Sequence, residues 1–437
     1  MTTTIIPELG PETSLPLPEP YRAELDNGLR VAVYPFRDTG LVDVRLRFNA
    51  AYANIAAADL LTATFLSGTD EWSQAELAAR LQSLGATVGV SSSSDHLTLN
   101  ASVLSEYTTK LFEILAHVFT GATYPDREFG TERARMVDSI TVAEREPSYV
   151  VGKLLHKRLW DGHPYGYQEP TSAEVSDVAA DEVRRLHDER LRPGAAELTV
   201  VTAADPSEVV RQLNAVFSDW SGNNDTDTIA PLPPWKTGPI VLGDRDNAVQ
   251  SAIRVATPTV GRTHPDNAAM QLANLIYGGY FSSRLTANLR EDKGYGYSPR
   301  SSIQHRPAGS VQLSVVDVAT EVTAAALEET YAELDGMSSN PPSQEELDQA
   351  RQYALGNLKL ALAGQSGLIG YASNLAANGL SLDWLKGHTE RLQRVTVDDI
   401  VRVSAERLNS RRAVTVVSGD VAAISGELRA LGSVEEV

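Results

Sequence analysis

Asp181-Glu-Val-Arg-Arg-Leu-His-Asp-Glu189-Arg190-Leu191, followed by Glu197-Leu-Thr199-Val200-Val201, is the stretch that decides how this chain folds. It returns as Asp398-Asp-Ile-Val-Arg-Val-Ser-Ala-Glu406-Arg407-Leu408, followed by Ala413-Val-Thr415-Val416-Val417. The helix parts lie 217 positions apart and the strand parts 216. Each copy reads as an acidic N-cap, an amphipathic helix and a β-branched strand. Each ends in an acidic turn, Ala204-Asp205 and Gly419-Asp420. Chance supplies either half of such a match. Both halves in register, at about half the chain length, indicate a duplication.

The 437 residues are too many for one compact core. Between the copies, Ser221-Gly-Asn-Asn-Asp-Thr-Asp-Thr-Ile-Ala-Pro231-Leu-Pro233-Pro234-Trp starts polar and ends proline-rich, as a linker does. The expected organisation is an extended N-terminal arm at 1–20, a domain at 21–220, a linker at 221–237 and a second domain at 238–437. The arm rests on Pro7, Pro11, Pro16, Pro18 and Pro20.

Strands and helices alternate in both halves. Val42, Val44, Leu46 and Phe48 alternate with Asp43, Arg45, Arg47 and Asn49, which predicts a strand with one wet face. Leu97, Leu99, Ala101 and Val103 give a second, less regular example. Asn27-Gly28 before Arg30-Val-Ala-Val-Tyr34 predicts a hairpin turn. Leu111, Ile114, Leu115 and Val118 have helical spacing, as do Leu327, Tyr331 and Leu334. Ser343-Gln-Glu-Glu346 is a capping box opening a long helix. One-sided strands with helices on the other face predict an α+β fold, each domain a mostly antiparallel sheet backed by helices.

Composition narrows the chemistry. There is no cysteine, which excludes disulfides, thiolate metal sites and a cysteine nucleophile, and fits a reducing compartment. The formal net charge of −19 disfavours nucleic-acid backbones and anionic membranes as partners. The N-terminus lacks the basic and apolar regions of a secretory signal, and no apolar run reaches membrane-spanning length. A cytoplasmic location is expected.

The stretch Asn54-Ile-Ala-Ala-Ala-Asp59-Leu-Leu-Thr62-Ala63-Thr-Phe-Leu-Ser67-Gly68-Thr69 resembles the zinc helix of the pitrilysin/insulinase metallopeptidases. In that family an inverted motif, His-x-x-Glu-His, precedes a Gly-Thr. Counted back from Gly68-Thr69, Asp59 stands at the first His, Thr62 at the general-base Glu and Ala63 at the second His. The Glu that completes the family's zinc site falls on Ser139, beside Asp138. The resemblance extends through Leu81-Gln-Ser-Leu84-Gly85-Ala86-Thr-Val88 and Gly162-His163-Pro164-Tyr165-Gly166. It continues in the second half through Gly278-Gly279-Tyr-Phe-Ser282-Ser283-Arg284-Leu285 and Leu289-Arg290-Glu291-Asp-Lys-Gly294-Tyr-Gly-Tyr297-Ser298.

With all ligand and base positions changed, no zinc and no other cofactor is expected in this chain. His156 and His163 do not form a metal pair, and His163 reads as a loop hydrogen-bonder. What the second-half motif keeps is Arg290 and Tyr297. In the family, an Arg and a Tyr seven positions apart face the zinc across a peptide chamber. The resemblance therefore implies an accessory subunit, inactive alone. Its partner would be a homologous catalytic subunit with an intact His-x-x-Glu-His and a bound zinc, the two closing as a heterodimer around a peptide substrate. Arg290 and Tyr297 would then hold the substrate and its oxyanion in trans. The alternative is a purely structural or peptide-holding subunit, comparable to the core subunits of a respiratory complex. Neither reading involves nucleic acid or membrane.

Overall fold

The computed structural model describes residues 17–50, 52, 54–222 and 229–437. Most of the expected N-terminal arm therefore lies outside the described residues. Two six-stranded sheets organise the chain. The first contains β1 (Tyr21–Glu24), β2 (Arg30–Pro35), β3 (Leu41–Asn49), β4 (Thr87–Ser93), β5 (His96–Leu104) and β6 (Ala196–Thr202), in the spatial order β1-β2-β6-β3-β5-β4. The second contains β7 (Ile240–Asp244), β8 (Gln250–Pro258), β9 (Arg300–Arg306), β10 (Gly309–Ala319), β11 (Val414–Gly419) and β12 (Val434–Glu436), in the order β12-β7-β11-β8-β10-β9.

The duplication is visible in this topology. Without the outermost strand, the two orders correspond strand for strand. In each sheet the late strand, β6 or β11, runs parallel to one neighbour and antiparallel to the other. The outer strands differ: β1 is antiparallel to β2, whereas β12 is parallel to β7. The repeated sequence forms the helix Ala180–Arg190 before β6 and the helix Val397–Arg407 before β11. Their N-caps are Ala179 and Thr396, so Asp181 and Asp398 lie in the first turn, not at the cap. There they still meet the positive end of the helix dipole. The acidic turn residues Asp205 and Asp420 are true caps, each accepting a backbone N–H of the helix that follows.

The local signals fold as their chemistry dictates. Asn27-Gly28 closes the β1–β2 hairpin, with Gly28 at φ 85°, where a side chain would be strained. Ser343 and Glu346 form the reciprocal capping box of the helix Gln344–Leu362. Val42, Val44, Leu46 and Phe48 enter the first core with Leu97, Leu99, Leu198 and Val200, against the helices Ile55–Thr64 and Thr108–Gly121.

The opposite face of β3 is not wet. Arg47 is only 6% exposed, and the helix Gln365–Ala376 of the second half packs on this sheet. Ala32, Tyr34 and Val201 of the first sheet share an apolar cluster with Leu358, Leu368, Ala372 and Leu385. The exchange is reciprocal. The helix Pro147–Trp160 of the first half places Val151, Leu155 and Trp160 against Val241, Ala252, Ala256 and Val416 of the second sheet. Each half thus covers one face of the other's sheet. A polar face closed by hydrogen-bonded side chains has the same sequence pattern as a solvated one, which is why the alternation suggested water.

The described part of the expected linker forms no helix or strand but is tied down. The Ala230 carbonyl meets His163 Nε2 at 2.9 Å, and the Trp235 indole donates to the Arg412 carbonyl at 2.9 Å. Among the described residues, no helix is long and apolar enough to cross a membrane.

Candidate functional site

The helix Ile55–Thr64 is capped by Asn54, whose side chain accepts from the Ala57 N–H, and is buried through Ile55, Ala56, Ala57, Leu60 and Leu61. Its remaining face carries the positions of the degenerate motif. The Asp59 carboxylate accepts from the Ser92 hydroxyl at 2.5 Å. Burial pushes its pKa up, and the Ser92 hydrogen bond opposes that rise. The Thr62 hydroxyl turns back to donate to the Asp59 carbonyl at 2.8 Å. Ala63 is exposed and offers no donor atom, and Ser139 is exposed on the helix Asp126–Ala143.

Zinc does not fit this set. Tetrahedral sites with three protein ligands need imidazole or carboxylate donors, and here one carboxylate is already occupied by a serine. Among the described residues, no group of three or more His, Asp or Glu side chains could hold a metal ion. The nearby carboxylates have structural duties. Glu132 pairs with Arg135 at 2.9 Å, and Glu144 accepts from the Ser172 N–H and hydroxyl at 3.0 and 2.9 Å. His156 pairs with Glu169 at 2.8 Å. His163 accepts from the Tyr165 N–H at 3.1 Å, the loop role read from its sequence context.

The second-half motif presents a different picture. Arg284 anchors it, gripping Glu346 at 2.7 and 3.1 Å and donating to the Asn340 carbonyl at 2.9 Å. Leu285 and Leu289 are fully buried. The wide helical turn Ala287–Asp292 follows and carries Arg290. Gly294, at φ 67°, then reverses the chain, so that the Tyr295 N–H donates back to the Leu289 carbonyl at 2.8 Å. At Gly296 a Cβ would stand 2.9 Å from the Asp317 carbonyl oxygen, so only glycine lets the loop pass so close to β10. This reversal brings Tyr297 beside Arg290.

The Arg290 guanidinium carbon lies 5.1 Å from the Tyr297 ring centroid and 4.6 Å from that of Phe281. Its Nε is 3.1 Å from Glu291. Phe281 is 68% exposed and Tyr297 81%. Two large aromatic rings holding a guanidinium between them at the surface form a cation–π stack, with each contact worth about 0.5–1 kcal/mol at exposed sites. The Tyr297 hydroxyl makes no hydrogen bond among the described residues, so its proton is available to an incoming group. The remaining Arg290 donors suit a carbonyl or an oxyanion.

Of the residues singled out in the sequence, the fold brings Arg290 and Tyr297 together. It also leaves Asp59, Thr62, Ala63 and Ser139 without a shared partner. No hydrogen bond, ion pair or ring contact among the described residues joins the first group to the second. Phe281 and Ser92 were not singled out as site residues. A large aromatic between Gly278-Gly279 and Ser282-Ser283 was the available signal for the first. The polar run Ser91–Ser94 at the end of β4 held too little pattern to identify the second.

Comparison with known proteins bears on the same residues. The family model described as insulinase (peptidase family M16) matches residues 51–169, and the model described as the peptidase M16 inactive domain matches 177–353. The chain is 23% identical over 351 residues to the uncharacterized zinc protease YmxG of Bacillus subtilis, covering 79% of this chain and 82% of that one. It is 25% identical over 271 residues to the mitochondrial cytochrome b-c1 complex subunit 1 of Bos taurus, covering 60% and 56%. A crystal structure of a peptidase M16 inactive domain from Pseudomonas fluorescens superposes with a TM-score of 0.84 at 20% identity, covering 92% of this chain and 98% of that one.

Proposed function

Since this chain belongs to the insulinase (M16) peptidase family and is of its inactive type, we propose that it is the zinc-less subunit of a heterodimeric metallopeptidase. In this reading the partner is a homologue with an intact His-x-x-Glu-His and its zinc. Arg290 and Tyr297 complete that partner's peptide-cleavage site in trans. The observation that carries the proposal is the exposed stack of Phe281, Arg290 and Tyr297 in a chain whose own zinc positions hold no ligand set. An arginine flanked by aromatics is the side-chain chemistry enriched where two proteins meet.

The exposed stack supports one role for each residue in this reading. Arg290, held in place by two rings, grips the substrate backbone through its free donors. The Tyr297 hydroxyl stabilises the oxyanion of the tetrahedral intermediate, a preorganised donor of the kind that contributes most to acyl-transfer catalysis. We also propose the domain boundaries at the 221–237 linker, and a cytoplasmic location on the strength of the cysteine-free composition. The test is co-expression with each zinc-bearing homologue of the same genome. A complex that sizes as a heterodimer, and cleaves peptides only when this chain is present, supports the proposal. A chain that stays alone beside every such homologue refutes it.

A second reading, a structural or peptide-holding subunit, is favoured by the similarity to cytochrome b-c1 complex subunit 1. It separates from the first by one result: unchanged peptide turnover in a heterodimer carrying Arg290→Ala.

A further inference from the structure

A cavity of about 240 Å³ lies in the second half, beneath the helices Gln344–Leu362, Gln365–Ala376 and Leu382–Arg394. Its walls are mixed, with Leu358, Leu385 and the Trp384 ring forming an apolar side and Gln271, Asn274 and Tyr371 among the neutral polar groups. Its polar side chains are cationic or neutral. Arg262 enters from the turn after β8, His305 from β9 and His388 from the helix Leu382–Arg394. The chain has 57 acidic residues against 38 basic ones, yet among the described residues no Asp or Glu lines this cavity.

Arg262 is the unusual element. Its Nε is buried without a hydrogen-bond partner. No carboxylate stands within ion-pair distance of it among the described residues, although a desolvated guanidinium ordinarily finds one. His388 is 4% exposed and stacks on Trp384, with ring centroids 4.5 Å apart. Its Nε2 bonds Gln271 Oε1 at 2.7 Å, and its Nδ1 has no partner. Outside the stack, the Arg391 guanidinium lies 5.4 Å from the Trp384 ring and adds a further positive charge. Desolvation and the charge of Arg262 lower the pKa of His305, and desolvation, Arg391 and Arg262 lower that of His388. The site therefore holds positive charge that no carboxylate neutralises among the described residues, where Arg262 faces only the neutral Tyr371 phenol, next to an aromatic and aliphatic wall.

We infer that this cavity is a binding site for a small carboxylate with an apolar body, its carboxylate on Arg262 and its body against Trp384 and Leu385. At 240 Å³ the cavity is below the roughly 300–1,000 Å³ of sites for drug-sized ligands, so the buried body holds about ten heavy atoms or fewer. The carboxylate belongs either to a free organic acid or to the C-terminal residue of a peptide. The site is separate from Arg290 and Tyr297, and its test does not depend on any peptidase activity.

The experiment is calorimetric titration and thermal denaturation of the full chain with sodium benzoate, N-acetylglycyl-leucine and, as the neutral control, benzamide. A carboxylate is expected to bind and raise Tm with concentration, and benzamide is not. A response to benzoate identifies a free acid as the source, and a response to the peptide identifies a chain terminus. Arg262→Met should weaken the responding carboxylate by about 10–150-fold, the value of a hydrogen bond to a charged group. It should also leave the Tm of the ligand-free protein unchanged or raised, because a half-buried charge with no carboxylate partner among the described residues has been removed. The inference is overturned if neither carboxylate binds, if benzamide binds as well as benzoate, or if Arg262→Met lowers the ligand-free Tm as loss of a structural arginine would.

Discussion

Tyr297→Phe removes one oxygen from the most exposed ring of the candidate site. The phenylalanine ring keeps the face that stands 5.1 Å from the Arg290 guanidinium, so the stack with Phe281 survives. The lost hydroxyl has no hydrogen-bond partner among the described residues, and the side chain is 81% exposed. Stability should therefore change by less than about 0.5 kcal/mol, as for other surface substitutions. If the hydroxyl donates to the oxyanion in the partner's site, turnover should fall by about 100–1,000-fold, or about 2.7–4 kcal/mol of transition-state stabilisation. Tyr297→Ala should lose this and, in addition, one cation–π contact of about 0.5–1 kcal/mol that orients Arg290. Its KM should therefore rise as well. The assay is steady-state peptide cleavage by the purified heterodimer, with assembly checked by sizing for every variant. Rates within about twofold of wild type for both Tyr297→Phe and Arg290→Ala would show that the pair packs and does not catalyse.

Metal analysis of the purified chain should find no stoichiometric zinc, since Asp59, Thr62, Ala63 and Ser139 supply one ligating side chain; about one zinc per chain, lost in Asp59→Ala, would contradict this. Trp160→Ala should destabilise by about 3–5 kcal/mol, because it opens a cavity against the second sheet and removes one of the two rings that flank Arg306, Tyr165 remaining at 4.7 Å; a chemical denaturation midpoint near wild type would contradict it. The two halves should unfold in a single calorimetric transition, since each covers the other's sheet, and two resolved transitions would refute that coupling. His305 and His388 are both held down to about 4, by burial first and then by Arg262 and Arg391. Between about pH 6.5 and 4 the unfolded chain thus binds more protons than the folded one. Their stabilising contribution is complete above pH 6.5 and is lost as pH falls through that window, by up to about 3 kcal/mol each. His388→Gln should flatten the Tm-versus-pH curve there in carboxylate-free buffer, and an unaltered slope would count against the assignment.

Much of this fold was legible because its signals are local. A capping box needs four residues, a hairpin turn two, and an alternating strand about eight; Ser343–Glu346 and Asn27-Gly28 folded accordingly, and Val42–Phe48 formed the strand and its apolar core face. The repeated helix and strand were legible because a duplicated unit preserves its order, and they locate the central strand of each sheet. The candidate site was legible in part. Arg290 and Tyr297 are close in sequence, and a short loop joins them. Phe281 reaches the same guanidinium from nine positions upstream across a break in the helix, which no periodicity predicts.

What sequence pattern could not separate was a polar face in water from a polar face against protein. Arg45 and Arg47 look solvated when read along β3. In the fold, Arg45 bonds Asn100 Oδ1 at 2.6 Å and Arg47 bonds Asn49 Oδ1 at 3.0 Å, on the face covered by the helix Gln365–Ala376, which begins more than three hundred residues later. Asp95 makes the same point: Tyr165 and Ser93 donate to it at 2.7 and 2.8 Å. Those hydrogen bonds and the adjacent His96 hold its carboxyl well below the usual carboxylate range despite burial. Polar groups satisfied in this way cost little to bury. The surface between the halves can therefore be hydrophilic in composition and closed in structure. This makes a charged group that is partly buried with no carboxylate partner an informative one. Arg262 is such a group, and it escapes sequence reading for the same reason that Arg47 does: a charged residue in a turn is assumed to be wet.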